Sequence, residues 1–253
     1  MKVAYCIYGQ PRRFEEGHAI IMKLLSKNPS VCVDFFYHTW HSEPKEGEKT
    51  YYVASGHRSI QPHHLMIQQG TIEKLNELYK PKDYKVDAPR TFDVGLVEPS
   101  LLFDNTSNRQ NIPNILSYFY SNQMVRDVLS NWISATGTEY DLVITSRFDQ
   151  LLEADIDLTT LDRTKMYTSY ISRPRMYITG HFQISNVEVY LNTFNVFNNL
   201  PNIKDNKSLL EYMKRCGLIP CVNGEELLTT NYIYYYNNFD NVVLSDSIPN
   251  FTL

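Results

Sequence analysis

The sequence predicts an α/β fold: a mostly parallel central sheet flanked by helices, with a Rossmann-like N-terminal half and a mixed C-terminal part. Three observations carry this prediction. Within Glu139–Leu152 the run Leu142-Val143-Ile144 is unbroken and apolar between polar flanks, as in a strand buried on both faces. Lys2–Tyr8, Phe14–Ser26 and Val31–Trp40 read strand, helix, strand with short connections, a βαβ unit whose strands must be parallel. Further helix and strand patterns follow, in a looser arrangement after Asp149.

Taken in order, Lys2–Tyr8 (KVAYCIY) is the first buried strand, and Gly9-Gln10-Pro11 breaks it. Ala19, Ile20, Leu24 and Leu25 recur at helical spacing in Phe14–Ser26. Val31–Trp40 (VCVDFFYHTW) is the second strand, and the polar Glu43–Gln61 is a surface excursion. Thr71–Tyr79 is a short amphipathic helix stopped by Pro81, with Ile72, Leu75, Leu78 and Tyr79 on one face. Tyr84–Val86 suits a short strand. Pro89–Pro113 is irregular and long for a compact domain, which marks it as functional or partly mobile. Asn114–Trp132 is a long helix whose apolar stripe includes Ile115, Phe119, Val125 and Leu129, with Tyr120 and Gln123 off the stripe.

Beyond the central strand, Lys165–Ile171 and Tyr177–Ile184 read as strands around the basic turn Arg173-Pro174-Arg175. Ser185 or Asn186 caps a helix running to about Asn198. Ser208–Glu211 is a capping box. Gly224 opens a last helix with Glu225 and Glu226 in its first turn, where acidic residues compensate the helix dipole. Asn241–Leu244 closes the fold as a strand. With no repeat and no low-complexity linker, one domain over residues 1–253 is the economical reading.

Composition narrows the function. At 43% hydrophobic and 21% charged the chain buries a core, and its 19 Tyr suit half-buried positions and polar-ligand clefts. A net charge of −4 argues against non-specific nucleic-acid binding, which needs a basic surface. The first apolar run is too short for a signal peptide, and no stretch approaches the roughly 18 apolar residues of a membrane span. A soluble, cytoplasmic protein is expected. Cys6 and Cys32, inside apparent core strands, read as buried thiols, and Cys216 and Cys221 have no zinc-module spacing.

Candidate chemistry gathers at strand ends. Arg147 and Asp149, two apart on an extended chain, point the same way, with Phe148 opposite. They lie where the strand leaves the sheet, and open α/β sheets bind ligands at that edge. The pair suits a phosphate, a metal or both; the bland alternative is a surface ion pair worth about 0–1 kcal/mol. Gly9–Arg13 leaves the same edge and runs into a helix N-terminus, a setting that favours anions. Arg12 and Arg13 strengthen this, since a guanidinium matches phosphate oxygens bidentately. A glycine-rich dinucleotide fingerprint and a Walker loop are both absent, against NAD and ordinary P-loop ATP use. His38 ends the second strand; His41, His57, His63 and His64 read as loop histidines, since no carboxylate or thiol completes a metal pattern.

Five motifs in order, GQPR, FYHTW, YKPKDYKVD, SYFYSNQ and YDLVITSRFD, resemble bacterial and viral glycosyltransferases of the GT-A fold, of the kind linked to surface-polysaccharide and lipopolysaccharide synthesis. The resemblance spans Val3 to Leu152, over half the chain. It implies a nucleotide-binding half (1–150), an acceptor-side half (151–253), a nucleotide-sugar donor and a glycan or lipid-linked acceptor. Such enzymes carry an Asp-X-Asp motif holding a divalent cation. Here the matching triplet is Arg147-Phe148-Asp149, with only the second acid. Two outcomes follow. Asp149, with diphosphate oxygens and waters, holds Mn²⁺ or Mg²⁺; or Arg147, Arg12 and Arg13 neutralise the diphosphate without metal.

The resemblance also implies that Gly9 and Gln10 contact the nucleotide, with His38 beside them. A base for the acceptor hydroxyl would come from Glu225, Glu226 or His181. Tyr120 and Gln123 either line the sugar pocket or sit on an exposed helix face. Asp149→Ala is expected to abolish transfer with the fold nearly intact. Rival readings are a sugar nucleotidyltransferase, which would want a Gly-rich basic loop, and a non-catalytic nucleotide- or sugar-binding module.

Overall fold

A computed structural model describes residues 1–47, 49–52, 66–92, 112–149, 155–169, 182–207, 211, 224–236 and 241–245. Its strands are β1 (Lys2–Gly9), β2 (Cys32–Trp40), β3 (Asp83–Asp87), β4 (Leu142–Arg147), β5 (Met166–Ser169), β6 (Phe182–Ser185) and β7 (Val242–Ser245). Its α-helices are α1 (Phe14–Ser26), α2 (Thr71–Tyr79), α3 (Ile112–Thr136), α4 (Val187–Thr193), α5 (Val196–Asp205) and α6 (Gly224–Tyr236).

The strands form a single seven-stranded sheet in the order β3-β2-β1-β4-β6-β5-β7. The first four are mutually parallel, β6 runs against β4 and β5, and β5 pairs parallel with β7. Strands from both halves of the chain therefore share one sheet. Strand alternation splits the core in two. Val3, Tyr5, Ile7, Leu142, Ile144 and Phe148 pack with Ile21 and Leu24 of α1 and Leu75 and Tyr79 of α2. Ala4, Cys6, Tyr8 and Val143 point the other way, onto α3 (Leu116, Phe119, Leu129), α4 (Tyr190), α5 (Leu200, Ile203) and α6 (Tyr232, Ile233). Cover on both faces is why β1 and β4 read as continuous apolar runs rather than alternating ones.

Several boundaries differ from the sequence reading. Helix α3 is longer than Asn114–Trp132 and ends at Gly137, whose N–H bonds the Ile133 carbonyl at 2.8 Å with φ at 67°. That is a glycine C-cap. Asn186, not Ser185, caps α4, accepting from the Val189 N–H at 2.8 Å. The single helix expected to Asn198 is two, parted near Phe194. Cys6 is buried, with its thiol pushed up to about 12 by burial. Cys32 is exposed, a correction: it opens β2 at the N-terminal rim of the sheet, before the helices cover it. His57, His63, His64, Arg173–Arg175, His181, Ser208, Cys216 and Cys221 lie outside the described residues. Among the described residues no helix is long and apolar enough to cross a membrane.

Candidate functional site

Parallel register builds the site. Arg147 of β4 pairs with Tyr8 of β1, Tyr8 with His38 of β2, and His38 with Lys85 of β3. Partners in register share a face, so these four side chains form a row at the C-terminal edge of the sheet, beneath α3. Phe148 lies on the other face, wholly buried against Tyr37 and Tyr79, as strand alternation requires.

The loop after β1 turns sharply. Gly9 has φ 104°, a conformation that favours glycine, and the Arg12 N–H closes onto the Gln10 carbonyl at 2.8 Å across Pro11. Beyond the turn the two arginines part. Arg13, itself left-handed at φ 50°, caps α1 and forks its guanidinium onto Glu16, Nε to Oε1 at 2.9 Å. It is a surface residue paired within its own helix, not part of the cluster that Arg12 joins.

Arg12 turns inward. Its Nη2 meets Asp149 Oδ2 at 2.8 Å. Arg147 grips the same carboxylate with a two-pronged fork, Nε to Oδ1 at 2.8 Å and Nη2 to Oδ2 at 2.7 Å. The Asp149 side chain is only 5% exposed, Arg12 8% and Arg147 21%. Burial lowers the Arg12 pKa, and Asp149 pulls it back up. Burial acts the same way on Arg147, but there the carboxylate outweighs it and the pKa is raised. Both remain charged. Among the described residues two cations thus share one buried anion, leaving one net positive charge. Arg12 Nε is buried with no partner among the described residues. A buried donor without an acceptor costs about 1–3 kcal/mol, more when charged.

Beside this clasp is a cleft of about 110 Å³. Tyr8, Gly9, Gln10, Arg12, Trp40 and Arg147 line it from the sheet side, and Asn114, Ser117, Tyr118 and Ser121 from α3. Those four are spaced i, i+3, i+4, i+7, one face of a helix. Of the residues singled out from sequence, Gly9, Gln10, Arg12 and Arg147 meet at this cleft, with Asp149 holding the two arginines.

His38 is placed differently from the sequence expectation. It is wholly buried; Nδ1 lies 2.6 Å from Ser121 Oγ and Nε2 lies 3.2 Å from Asp87 Oδ2. It sits behind Ser121, which lines the cleft. Burial pushes its pKa down to about 4, although Asp87 opposes this. The unfolded chain therefore takes up a proton between pH 6.5 and 4 that the folded chain refuses. Stability should be full above pH 6.5 and fall as the pH drops, by about 2 kcal/mol at pH 5. Urea unfolding at pH 7.5 and 5 checks this: His38→Gln should show a correspondingly shallower pH dependence. Equal slopes would mean that His38 is not held neutral.

Tyr120 and Gln123 do not line the cleft. The Tyr120 hydroxyl donates to Asp87 at 2.9 Å, and its ring packs with Trp40, Phe92 and Phe197 beneath the Arg90 guanidinium, 4.0 Å from the centroid. Gln123 is wholly buried, with Nε2 on Asp127 at 2.9 Å. Neither is on an exposed helix face: α3 is buried from Phe119 through Gln123, so distance from the apolar stripe did not mean solvent. Glu225 and Glu226 lie in the first turn of α6, their side chains outside the described residues.

The fit to a divalent cation is poor. Both Asp149 oxygens already accept guanidinium N–H groups, and its nearest charges are cations that would repel a metal. Among the described residues no group of three or more His, Cys, Asp or Glu is placed to hold one. The tight clasp also revises the expectation for Asp149→Ala: removing a carboxylate buried between two arginines disturbs the fold as well as the site.

No protein-family model matches the chain, and no curated protein matches it. Among solved structures it is similar to the galactosyltransferase LgtC in complex with donor and acceptor sugar analogs. That alignment has 8% identity and TM-score 0.40, over 97% of this chain and 73% of that one. An active-site mutant of LgtC gives 8% identity and TM-score 0.39, covering 97% and 72%. The bifunctional glycosyltransferase WbbM, without ligand, gives 10% identity and TM-score 0.39, covering 97% of this chain and 38% of that one. Likeness at this level assigns no activity.

Proposed function

We propose that the chain is a GT-A-type glycosyltransferase that uses a nucleoside-diphosphate sugar and a glycan or lipid-linked acceptor. On this reading Arg12 and Arg147, rather than a metal, neutralise the diphosphate. The observation that carries it is the clasp: a buried guanidinium, Arg12, and a half-buried one, Arg147, around a buried carboxylate at the C-terminal edge of parallel strands. In glycosyl transfer the bond from the anomeric carbon to a diphosphate oxygen breaks, and the leaving group gains negative charge. Fixed cations in a dry cleft stabilise that charge most in the transition state. The 110 Å³ bounded by described residues suits the diphosphate. It is smaller than the ~300–1,000 Å³ of a typical small-molecule pocket, so the nucleoside and sugar extend past it.

A second reading, a non-catalytic sugar-nucleotide binder, is favoured by one feature. Among the described residues lining the cleft there is no carboxylate or imidazole to take the acceptor's proton.

Thermal unfolding with UDP, GDP, ADP, CMP and pyrophosphate, in EDTA and in Mn²⁺, tests the site. A nucleoside diphosphate at a hundredfold excess over its Kd should add about 2.7 kcal/mol in EDTA. For 253 residues that raises Tm by roughly 5–10 °C. No shift with any of them would overturn the donor site. A shift confined to Mn²⁺ would overturn the metal-free clasp. Hydrolysis of the matching sugar nucleotide then separates enzyme from binder.

A further inference from the structure

We propose that Ser121 sets the hydrogen-bond polarity of the cleft: its proton is committed to His38, so it offers a ligand only a lone pair, and the ligand atom beside it carries an O–H or N–H. This rests on the donor-site reading and narrows the ligand to one with such a donor next to its phosphates.

A chain of bonds fixes the direction. The Gly9 N–H donates to Ser121 Oγ at 3.0 Å. Ser121 Oγ lies 2.6 Å from His38 Nδ1, and His38 Nε2 lies 3.2 Å from Asp87 Oδ2. Asp87 also receives the Tyr120 hydroxyl at 2.9 Å and faces Lys85 Nζ at 3.3 Å. Burial opposes its ionisation, but these partners win and hold its pKa below the usual value. An ionised carboxylate accepts only, so His38 Nε2 must carry the ring proton; a bare Nε2 would set lone pair against lone pair. The ring, wholly buried, is neutral, which leaves Nδ1 bare. At 2.6 Å Ser121 then has to donate to it. A hydroxyl has one proton and two lone pairs. The proton goes to His38 and one lone pair to Gly9. The remaining lone pair belongs to a residue that lines the cleft.

The cleft therefore has two ends of opposite character. Arg12 and Arg147 donate, and suit phosphate oxygens. Ser121 accepts, and suits a sugar hydroxyl or a base N–H. Bare polyphosphate satisfies only the first end.

Two measurements test this. ¹⁵N shifts of His38 at pH 7 need no ligand: they should show Nε2 protonated and Nδ1 bare. The other tautomer, or a doubly protonated ring, overturns the proposal while leaving the donor site standing. Calorimetric titration of wild type, Ser121→Ala and Ser121→Thr with pyrophosphate and UDP is the second. Ser121→Ala should weaken UDP about tenfold and pyrophosphate less than twofold, with Ser121→Thr restoring UDP. Equal losses for both ligands would make Ser121 a support for the Gly9 loop only, and no loss would remove it from the site. Either overturns the polarity assignment. Wild type that binds neither ligand sinks the donor-site reading and this one with it.

Discussion

Asp149→Ala should lower the melting temperature by roughly 10 °C. The carboxylate is 5% exposed and takes three guanidinium N–H bonds from two arginines. Deleting one partner of a buried ion pair costs about 3–5 kcal/mol, because the charge left behind is unpaired and dry. Here two cations lose their partner at once. For a chain of 253 residues each kcal/mol is worth about 2–4 °C. A second measurement separates this mechanism from simple loss of packing. Millimolar pyrophosphate should stabilise the variant more than wild type, because an anion can occupy the place of the missing carboxylate. An unchanged Tm, or identical pyrophosphate shifts, would mean that the clasp contributes little.

Arg147→Lys is the sharper functional test. The substitution keeps the positive charge and removes the planar fork. Arg147 uses Nε and Nη2 together on Asp149, a geometry that an ammonium cannot reproduce. Affinity for the stabilising nucleoside diphosphate should fall about 10- to 100-fold, or roughly 1.4–2.8 kcal/mol. Transfer should fall with it, since the fork on Asp149 fixes the orientation of the guanidinium whose remaining N–H groups would face the leaving diphosphate. Titration calorimetry on the purified variant measures the first effect, and product formation the second. Wild-type affinity in the lysine variant would mean that charge alone acts there and that orientation is irrelevant.

Much of the fold was readable because its signals are local. The apolar run of β4, the glycine and proline after β1 and the cap at Asn186 each depend on a few neighbouring residues. The side to which Arg147 and Asp149 point, away from Phe148, followed from alternation along one strand. Other features also carry a local signal. Gly137 marks the true end of α3. Asn114, Ser117 and Ser121 share a polar helical spacing, and Tyr118, on the apolar stripe by sequence, lines the cleft beside them, whereas Tyr120 and Gln123, off that stripe, do not. Spacing from one stripe locates solvent only on a helix with one buried face, and α3 is covered on more than one.

Alone, the sequence determined that parallel strands would bring the Gly9–Arg12 loop and the Arg147–Asp149 segment to the same sheet edge, because periodicity and turn chemistry act over short stretches of chain. Only the packed structure decided that Arg12 joins Arg147 on one carboxylate, that β6 runs antiparallel, and that His38 lies behind Ser121 rather than in the cleft. Those choices depend on which distant residues are neighbours in space. A charge finds its partner, and a strand its direction, by the free energy of the assembled pair, and no stretch of sequence holds both members.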